Sequence, residues 1–216
     1  MVNQCRRPKC MPPGPAILPF VGNIPAISGK NLIEAFRELR KQYGDIFCLR
    51  LGSSWVLVIN GYKNLQDALI KQGDDFQDRP NTFFFDKMLD KKERQIVRTC
   101  RDLLLAGTDT TATSVRWAVL HMIHKPEIQE KMNIEINQMI GLDRRPDMND
   151  RRKMPYCDAV CNETMRISDV APISAPRVTK SETNFKGYTI PANTIVMPCL
   201  DSVLFDENIF QEPENF

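Results

Sequence analysis

A long stretch of predicted helix lies in the middle of the chain and limits the folds that the chain can adopt. Apolar residues recur there at helical spacing, and Pro126 and Pro155 stand where a new helix accepts proline in its first turn. Gly141 provides a C-terminal cap for the helix before it. The predicted helices run from Lys91 to His124, from Glu127 to Ile140 and from Pro155 to Ile167, with a polar loop at Asp143–Lys153.

Shorter elements are predicted on both sides of these helices. Before them, Asn31 caps a helix that Gly44 ends, a hairpin with the connection Gly52-Ser53-Ser54 follows, and Leu65–Lys71 is helical. After them, prolines separate short β-type runs. We therefore predict a fold that is mainly α with a small β region. The predicted strands are Ile46–Leu51, Trp55–Ile59, Asn184–Lys186, Tyr188–Ile190 and Thr194–Met197.

Composition indicates a globular protein and excludes several functional classes. Among 216 residues, 42% are hydrophobic and 26% are charged, and the net charge of +2 is too balanced to indicate a nucleic-acid partner. No apolar run reaches the roughly 20 residues of a membrane span. The seven cysteines are scattered and form no Cys-x-x-Cys pair, which favours reduced thiols over a disulfide framework or a zinc site.

The proline-rich start of the chain is predicted to be a solvated, disordered lead-in over residues 1–30. It contains Pro12-Pro13-Gly14-Pro15 and, before it, the basic cluster Arg6, Arg7 and Lys9. Residues 31–216 are predicted to form one incomplete domain. Its parts are an N-terminal helix and hairpin at 31–80, a junction at 81–90, helices at 91–167 and strands at 168–216.

A polar, weakly helical segment interrupts the apolar pattern of the first long helix. Residues 106–114 read Ala-Gly-Thr-Asp-Thr-Thr-Ala-Thr-Ser, and glycine alone costs about 1 kcal/mol in a helix interior. Such a local conflict is typical of a functional site, where Gly107 admits a flat group and Asp109 and Thr110 supply a proton donor and a hydroxyl. The equal alternative is that threonines bond back to carbonyls one turn earlier and bend the helix.

Glu163 and Arg166 form a second candidate pair, three residues apart on the last helix. Most such pairs are exposed and contribute only about 0.3–0.5 kcal/mol, so the pattern is weak by itself. Cys157 and Cys161, and likewise His121 and His124, are explained better by packing and capping than by metal binding.

Taken in order, these segments resemble the cytochrome P450 family of haem-thiolate monooxygenases, in particular its microsomal branch that oxidises drugs and fatty acids. The matching segments are Pro12–Pro15, Ala106–Thr111, Glu163-x-x-Arg166, Pro176–Thr179, Gly187–Pro191 and Pro213–Phe216. Each motif is weak or moderate alone, and their common order carries the resemblance.

The resemblance implies roles for individual residues. Asp109 and Thr110 would relay protons to bound dioxygen, and Ala106 and Gly107 would let the helix pass close over a haem. Arg79, in Phe-Gln-Asp-Arg-Pro, and Arg177 match positions that bond haem propionates, which suits the forked geometry of arginine. Glu163 and Arg166 would be structural.

The resemblance also implies that parts of the family fold are not represented. The cysteine ligand of the family lies in a Phe-x-x-Gly-x-Arg-x-Cys-x-Gly loop beyond the motif that ends at Phe216, so no cysteine here is assigned to a metal. The helices expected between Arg79 and Ala106 are replaced by a short junction containing Phe83–Phe85, and the membrane anchor of the family is not seen.

The sequence is therefore compatible with two functions. The first is a monooxygenase that uses haem b, dioxygen and electrons from an NADPH-dependent reductase on small lipophilic substrates, at the cytosolic face of the endoplasmic reticulum membrane. The second is an inactive truncated isoform that acts as a binding protein, is located in the cytoplasm because it has no anchor, and exposes apolar helix surface that other segments should cover. For the chain as it stands, the second is expected.

Overall fold

The computed structural model describes residues 7–80, 96–97, 99–100 and 103–216. The chain divides into two compact units. The sheet unit comprises the described residues of Met1–Lys87 and Ala171–Ile209, and the helical unit those of Met88–Val170 and Phe210–Phe216. The predicted junction at 81–90 and the start of the first long helix at Lys91 lie outside the described residues.

A four-stranded sheet organises the sheet unit. Strands β1 and β2 form the predicted antiparallel hairpin, with Leu51 opposite Ser54 and therefore a two-residue connection instead of the three predicted. The late strand β6 pairs in parallel with β2, and β3 closes the order β1-β2-β6-β3, while β4 and β5 form a separate hairpin. The strands are β1 Ile46–Leu51, β2 Ser54–Ile59, β3 Arg177–Val178, β4 Thr183–Phe185, β5 Tyr188–Ile190 and β6 Ile195–Pro198.

Both faces of this sheet are buried because β2 alternates its side chains between two apolar clusters. Leu57 and Ile59 pack on one side with Phe76 and Phe185, whose rings meet edge to face at 5.5 Å. On the other side, Val56 and Val58 pack with Phe36 and Phe47. A strand buried on both faces reads as a continuous apolar run, as Trp55–Ile59 does.

Short helices surround the sheet. In α2, the side chain of Asn31 accepts a hydrogen bond from the Ile33 N–H at 3.0 Å, and Gly44 ends the helix at φ 88°, as predicted. The helix predicted at Leu65–Lys71 begins earlier, at Tyr62, and continues as a π-helical turn at Asp67–Lys71 and a 3-10 turn at Gly73–Phe76. The α-helices of this unit are α1 Ile24–Ile27, α2 Leu32–Tyr43, α3 Tyr62–Gln66 and a last helix, Asp201–Leu204.

The prediction of a disordered lead-in is wrong for residues 7–30. The Cys48 N–H donates to the Pro13 carbonyl at 2.8 Å, and a Cβ on Gly14 would lie 2.1 Å from the Cys48 carbonyl oxygen. Asn23 is buried and bonds to the Ala16 carbonyl and the Arg50 N–H. The segment therefore packs directly on β1, with Gly14 at the point of close backbone approach, which composition alone does not reveal.

In the part of the chain that the structure describes, the longer helices of the helical unit are α4 Thr110–His124, α5 Pro126–Met139 and α6 Pro155–Ser168. The bounds of α5 and α6 and the end of α4 agree with prediction within one residue, and a π-helical turn at Leu105–Asp109 precedes α4. Gly141 adopts φ 78°, as its capping role requires. The predicted loop at Asp143–Lys153 contains a 3-10 helix at Met148–Lys153, opened by a capping box between Asp147 and Asp150.

Helix surface is largely uncovered in this unit. No described residue of α4 or α5 is buried, and the side chains of Val115, Val119 and Ile123 are more than half exposed. Even so, no helix among the described residues combines the length and hydrophobicity that crossing a bilayer requires. The prediction of a mainly α fold with a small β region is confirmed.

Candidate functional site

The polar segment of the first long helix is a widened turn. Residues Leu105–Asp109 are π-helical, and α4 continues directly from Thr110. In a π-helical turn the amide bonds five residues back, which shifts the helical ladder by one position. The Thr110 Oγ1 donates to the Ala106 carbonyl at 2.5 Å, and Ser114 Oγ repeats the pattern to the Thr110 carbonyl at 2.8 Å. This back-bonding is what the second of the two sequence-based alternatives predicts, and the functional role of the segment stays a prediction.

This widened turn is open to solvent. Ala106, Gly107, Asp109 and Thr110 are all exposed, and a Cβ built on Gly107 would meet nothing within 4 Å. The space beside the turn is therefore open, and a Cβ at Gly107 would also be accommodated there. A flat ligand could reach the backbone there, next to the carboxylate of Asp109 and the hydroxyl of Thr110.

Glu163 and Arg166 on α6 form a bidentate ion pair. Arg166 Nε donates to Glu163 Oε2 at 2.8 Å, and its Nη2 donates to Oε1 at 2.6 Å. The Arg166 side chain is only 6% exposed, whereas the Glu163 side chain is 35% exposed. The expectation that such a pair is exposed is therefore wrong for the Arg166 side chain. The hydrogen bonds to Glu163 raise the pKa of Arg166 above its ordinary value, against the opposing effect of burial.

Arg166 also binds the last segment of the chain, which sequence reasoning missed. Its Nη1 donates to the Pro213 carbonyl at 2.8 Å and its Nη2 to the Asn215 carbonyl at 3.4 Å. Its guanidinium lies 4.9 Å from the ring centroid of Phe210. Every residue type offers a backbone carbonyl, so the residue types of this segment do not reveal the contact with Arg166.

Arg79 and Arg177 lie on facing segments of the sheet unit. Asp78 and Val178 form an antiparallel bridge, with the Val178 N–H donating to the Asp78 carbonyl at 2.8 Å. Arg79 Nη1 donates to the carbonyls of Ala175 and Pro176 at 3.0 and 3.1 Å. The structure thus places the two predicted cofactor-binding arginines side by side.

This arginine pair fits an anionic ligand. Arg79 is exposed, and the buried Nε of Arg177 has no hydrogen-bond partner among the described residues. An unsatisfied guanidinium N–H is costly unless a ligand or water accepts from it. A carboxylate such as a haem propionate supplies the planar pair of oxygens that arginine binds best.

Two buried cysteines do not fit a thiolate ligand for haem iron. Burial raises the pKa of the Cys48 thiol, although Arg7 acts in the opposite direction. Burial, reinforced by the hydrogen bond and charge of Glu135, raises the pKa of Cys157 to about 12. Both thiols are therefore held protonated, whereas an iron ligand must be a thiolate. In the part of the chain that the structure describes, no group of three or more His, Cys, Asp or Glu residues could hold a metal ion.

Comparison with known proteins assigns these features to a family. The sequence model of the family "Cytochrome P450" matches residues 12–98 and 89–216, two segments that overlap at 89–98. Together they cover nearly the whole chain, including all eight candidate site residues.

Individual relatives match over shorter lengths. The chain is similar to Cytochrome P450 2E1 of Oryctolagus cuniculus, with 44% identity over 121 residues, which is 56% of this chain and 24% of the relative. It is also similar to Cytochrome P450 2H2 of Gallus gallus, with 41% identity over 139 residues, 62% of this chain and 28% of the relative. For Cytochrome P450 2D27 of Mesocricetus auratus the values are 37% over 154 residues, 71% and 29%. The chain thus spans about a quarter of the length of these curated relatives.

Proposed function

The chain belongs to the cytochrome P450 family, and from that premise we propose that it forms part of a haem-thiolate monooxygenase. The reaction inserts one oxygen atom of dioxygen into a small lipophilic substrate, with electrons from an NADPH-dependent reductase at the endoplasmic reticulum membrane. The observation that carries the proposal is the widened turn at Leu105–Asp109, where a helix-breaking sequence exposes a carboxylate and a hydroxyl in consecutive positions.

Haem, when bound, would supply the redox chemistry of dioxygen. The residues of this chain would supply protons and positioning. Asp109 is exposed to solvent, and the Thr110 hydroxyl lies next to it in the chain. To donate to another acceptor, Thr110 must turn its hydroxyl away from the Ala106 carbonyl. The widened turn would thus act as a proton-delivery site whose resting state is an internal hydrogen bond.

In this proposal Arg79 and Arg177 hold the haem propionates, and Glu163 with Arg166 fixes α6 and the segment 210–216. The unpartnered Nε of Arg177 supports the first assignment. The bidentate pair and its two backbone acceptors support the second.

The test is haem titration of the parent chain and its variants. We expect a loss of haem affinity of about tenfold in Arg177→Ala, the scale of one charge-assisted hydrogen bond. Arg152→Ala, which changes an exposed arginine of the helical unit, is the matched control and should bind haem like the parent chain. Equal affinity in all three proteins would contradict the arginine assignment.

A second candidate function is that of an inactive binding protein. The observation that favours it is the uncovered apolar surface of α4, where Val115, Val119 and Ile123 are 57%, 54% and 68% exposed. Folded protein that binds no haem, binds an apolar dye and self-associates would support this function for the chain.

We further infer that the family pattern is interrupted between Arg79 and Ala106. The match of the family in two overlapping segments supports this inference, since an uninterrupted relative would match in one. Sequencing the native transcript across this interval is the direct check. Reads that restore additional helices there would overturn the inference.

A further inference from the structure

An aromatic stack joins α4 to the segment 210–216 within the helical unit. Trp117 and His121 lie one helical turn apart, with ring centroids separated by 5.7 Å and planes inclined by 25°. The ring of Phe216 lies 4.2 Å from the imidazole and nearly parallel to it, at 5°. His121 therefore stacks with two aromatic rings, one from its own helix and one from the segment 210–216.

One nitrogen of the imidazole lacks a hydrogen-bond partner in this position. Its Nε2 atom is buried and has no partner among the described residues. A neutral imidazole can tolerate this because one nitrogen carries no proton, whereas the imidazolium has two N–H donors. Protonation would therefore add a charge and an N–H group where no acceptor is available.

The charged groups around the ring do not compensate for this deficit. His124 lies on the same helix and opposes protonation, whereas Glu163 on α6 favours it. Both carboxylate oxygens of Glu163 already accept from Arg166. On the segment 210–216, Glu214 acts on Arg166, and the group facing His121 is the neutral ring of Phe216. Burial first and His124 second lower the pKa of His121, and they outweigh Glu163.

A separate anchor holds the same segment without depending on pH near neutrality. Arg166 donates to the carbonyls of Pro213 and Asn215, and it remains charged at any physiological pH. Of these two contacts of the segment 210–216 with described residues, the His121 stack contains a group that titrates between about pH 5 and 8, and the Arg166 anchor does not.

We propose that His121 is a pH-sensitive latch that holds Phe216 against α4 when the imidazole is neutral and releases it when the imidazole is protonated. The direction follows from linkage. Because the folded protein disfavours protonation, the contact is fully stabilising above the ordinary pKa of 6.5 and weakens as pH falls through the lower pKa of the folded protein. Arg166 then still holds the segment near Pro213, while the contact of Phe216 with α4 is lost.

The two tryptophans of the chain provide a direct readout. Trp55→Phe removes the one in the sheet unit and leaves Trp117 as the only tryptophan. In this variant we expect Trp117 emission to change between about pH 8 and 5, with a midpoint below that of an unperturbed histidine. Hydrogen exchange measured by mass spectrometry should show a parallel several-fold loss of amide protection in residues 210–216, after correction for intrinsic rates.

Two further variants make the test decisive. His121→Phe keeps an aromatic ring in the stack but cannot titrate, so emission and protection should stay constant over the same range. His124→Gln removes a like charge and should move the midpoint to higher pH. Retained protection of 210–216 at the acid end, or the same transition in His121→Phe, would overturn the proposal. If His121→Phe does not fold, an unshifted midpoint in His124→Gln would overturn it instead.

Discussion

The two units of this chain hold their elements together in different ways. The sheet unit has an apolar core in which Phe47, Leu57 and Phe76 are completely buried. The helical unit buries no described residue of α4 or α5, and its best-defined contacts are polar: the Glu163–Arg166 pair, the carbonyls that Arg166 binds and the cap that Glu135 places on α6. Pairing of strands from distant parts of the chain thus encloses an apolar core, whereas helices of this length need neighbouring elements to bury their apolar faces.

The largest effect should come from the core of the sheet unit. Phe47→Ala removes a buried ring that meets Phe36 edge to face at 6.1 Å. We expect a loss of about 3–5 kcal/mol in the free energy of unfolding. Urea denaturation followed by Trp55 emission in a Trp117→Phe background measures it. The control Ile123→Ala in α4 should cost less than about 0.5 kcal/mol, since that side chain is 68% exposed. Similar losses in both variants would contradict the contrast between the units.

A smaller effect is expected from the polar network of the helical unit. Arg166→Ala leaves Glu163 and the carbonyls of Pro213 and Asn215 without their donor. The loss should be about 2–3 kcal/mol, the range for hydrogen bonds to a charged group. Trp117 emission during urea unfolding reports it in a Trp55→Phe background. Arg166→Lys retains the charge but not the forked geometry, so its loss should be intermediate. Equal stability of all three proteins would show that the network is not structural.

The smallest effect should come from the cap between α5 and α6. The Glu135 carboxylate accepts the N–H groups of Tyr156 and Cys157 at 3.1 and 2.8 Å, which places negative charge at the N-terminus of α6. Glu135→Gln should lower the stability of the helical unit by less than Arg166→Ala does.

The effect of Glu135 should also depend on pH. Burial acts to raise the pKa of Glu135, but the two backbone N–H groups outweigh it and the net pKa is lowered. The cap therefore stabilises the helical unit above the ordinary carboxyl pKa and is lost as pH falls through the lower value of the folded protein. The stability difference between parent and Glu135→Gln should vanish in acid. A difference that persists there would contradict an ionic cap.

Local rules predicted individual elements well. Asn31, Gly44 and Gly141 have the capping roles that their residue types indicate, and the β1–β2 hairpin follows from its apolar runs. The helix-breaking residues at 106–114 marked the position of the π-helical turn, although the widening itself was not predicted. These features depend on residues close in sequence, so the sequence contains the information directly.

Other features depend on residues far apart in sequence. The lead-in packs on β1 because Gly14 lets the backbone approach Cys48, and a proline-rich composition could not show this. The Arg166 side chain is buried, unlike that of an ordinary surface ion pair, and His121 stacks on Phe216. Both features depend on the position of the segment 210–216.

The helices, the hairpin, the caps and the ordered motifs of the cytochrome P450 family can be predicted from the sequence, because each is set by local propensity or by spacing along the chain. The parallel pairing of β6 with β2, the facing segments of Arg79 and Arg177, and the contact of His121 with Phe216 are seen only in the folded chain. Those pairings are chosen by which apolar faces can be buried together, and that choice depends on the whole chain.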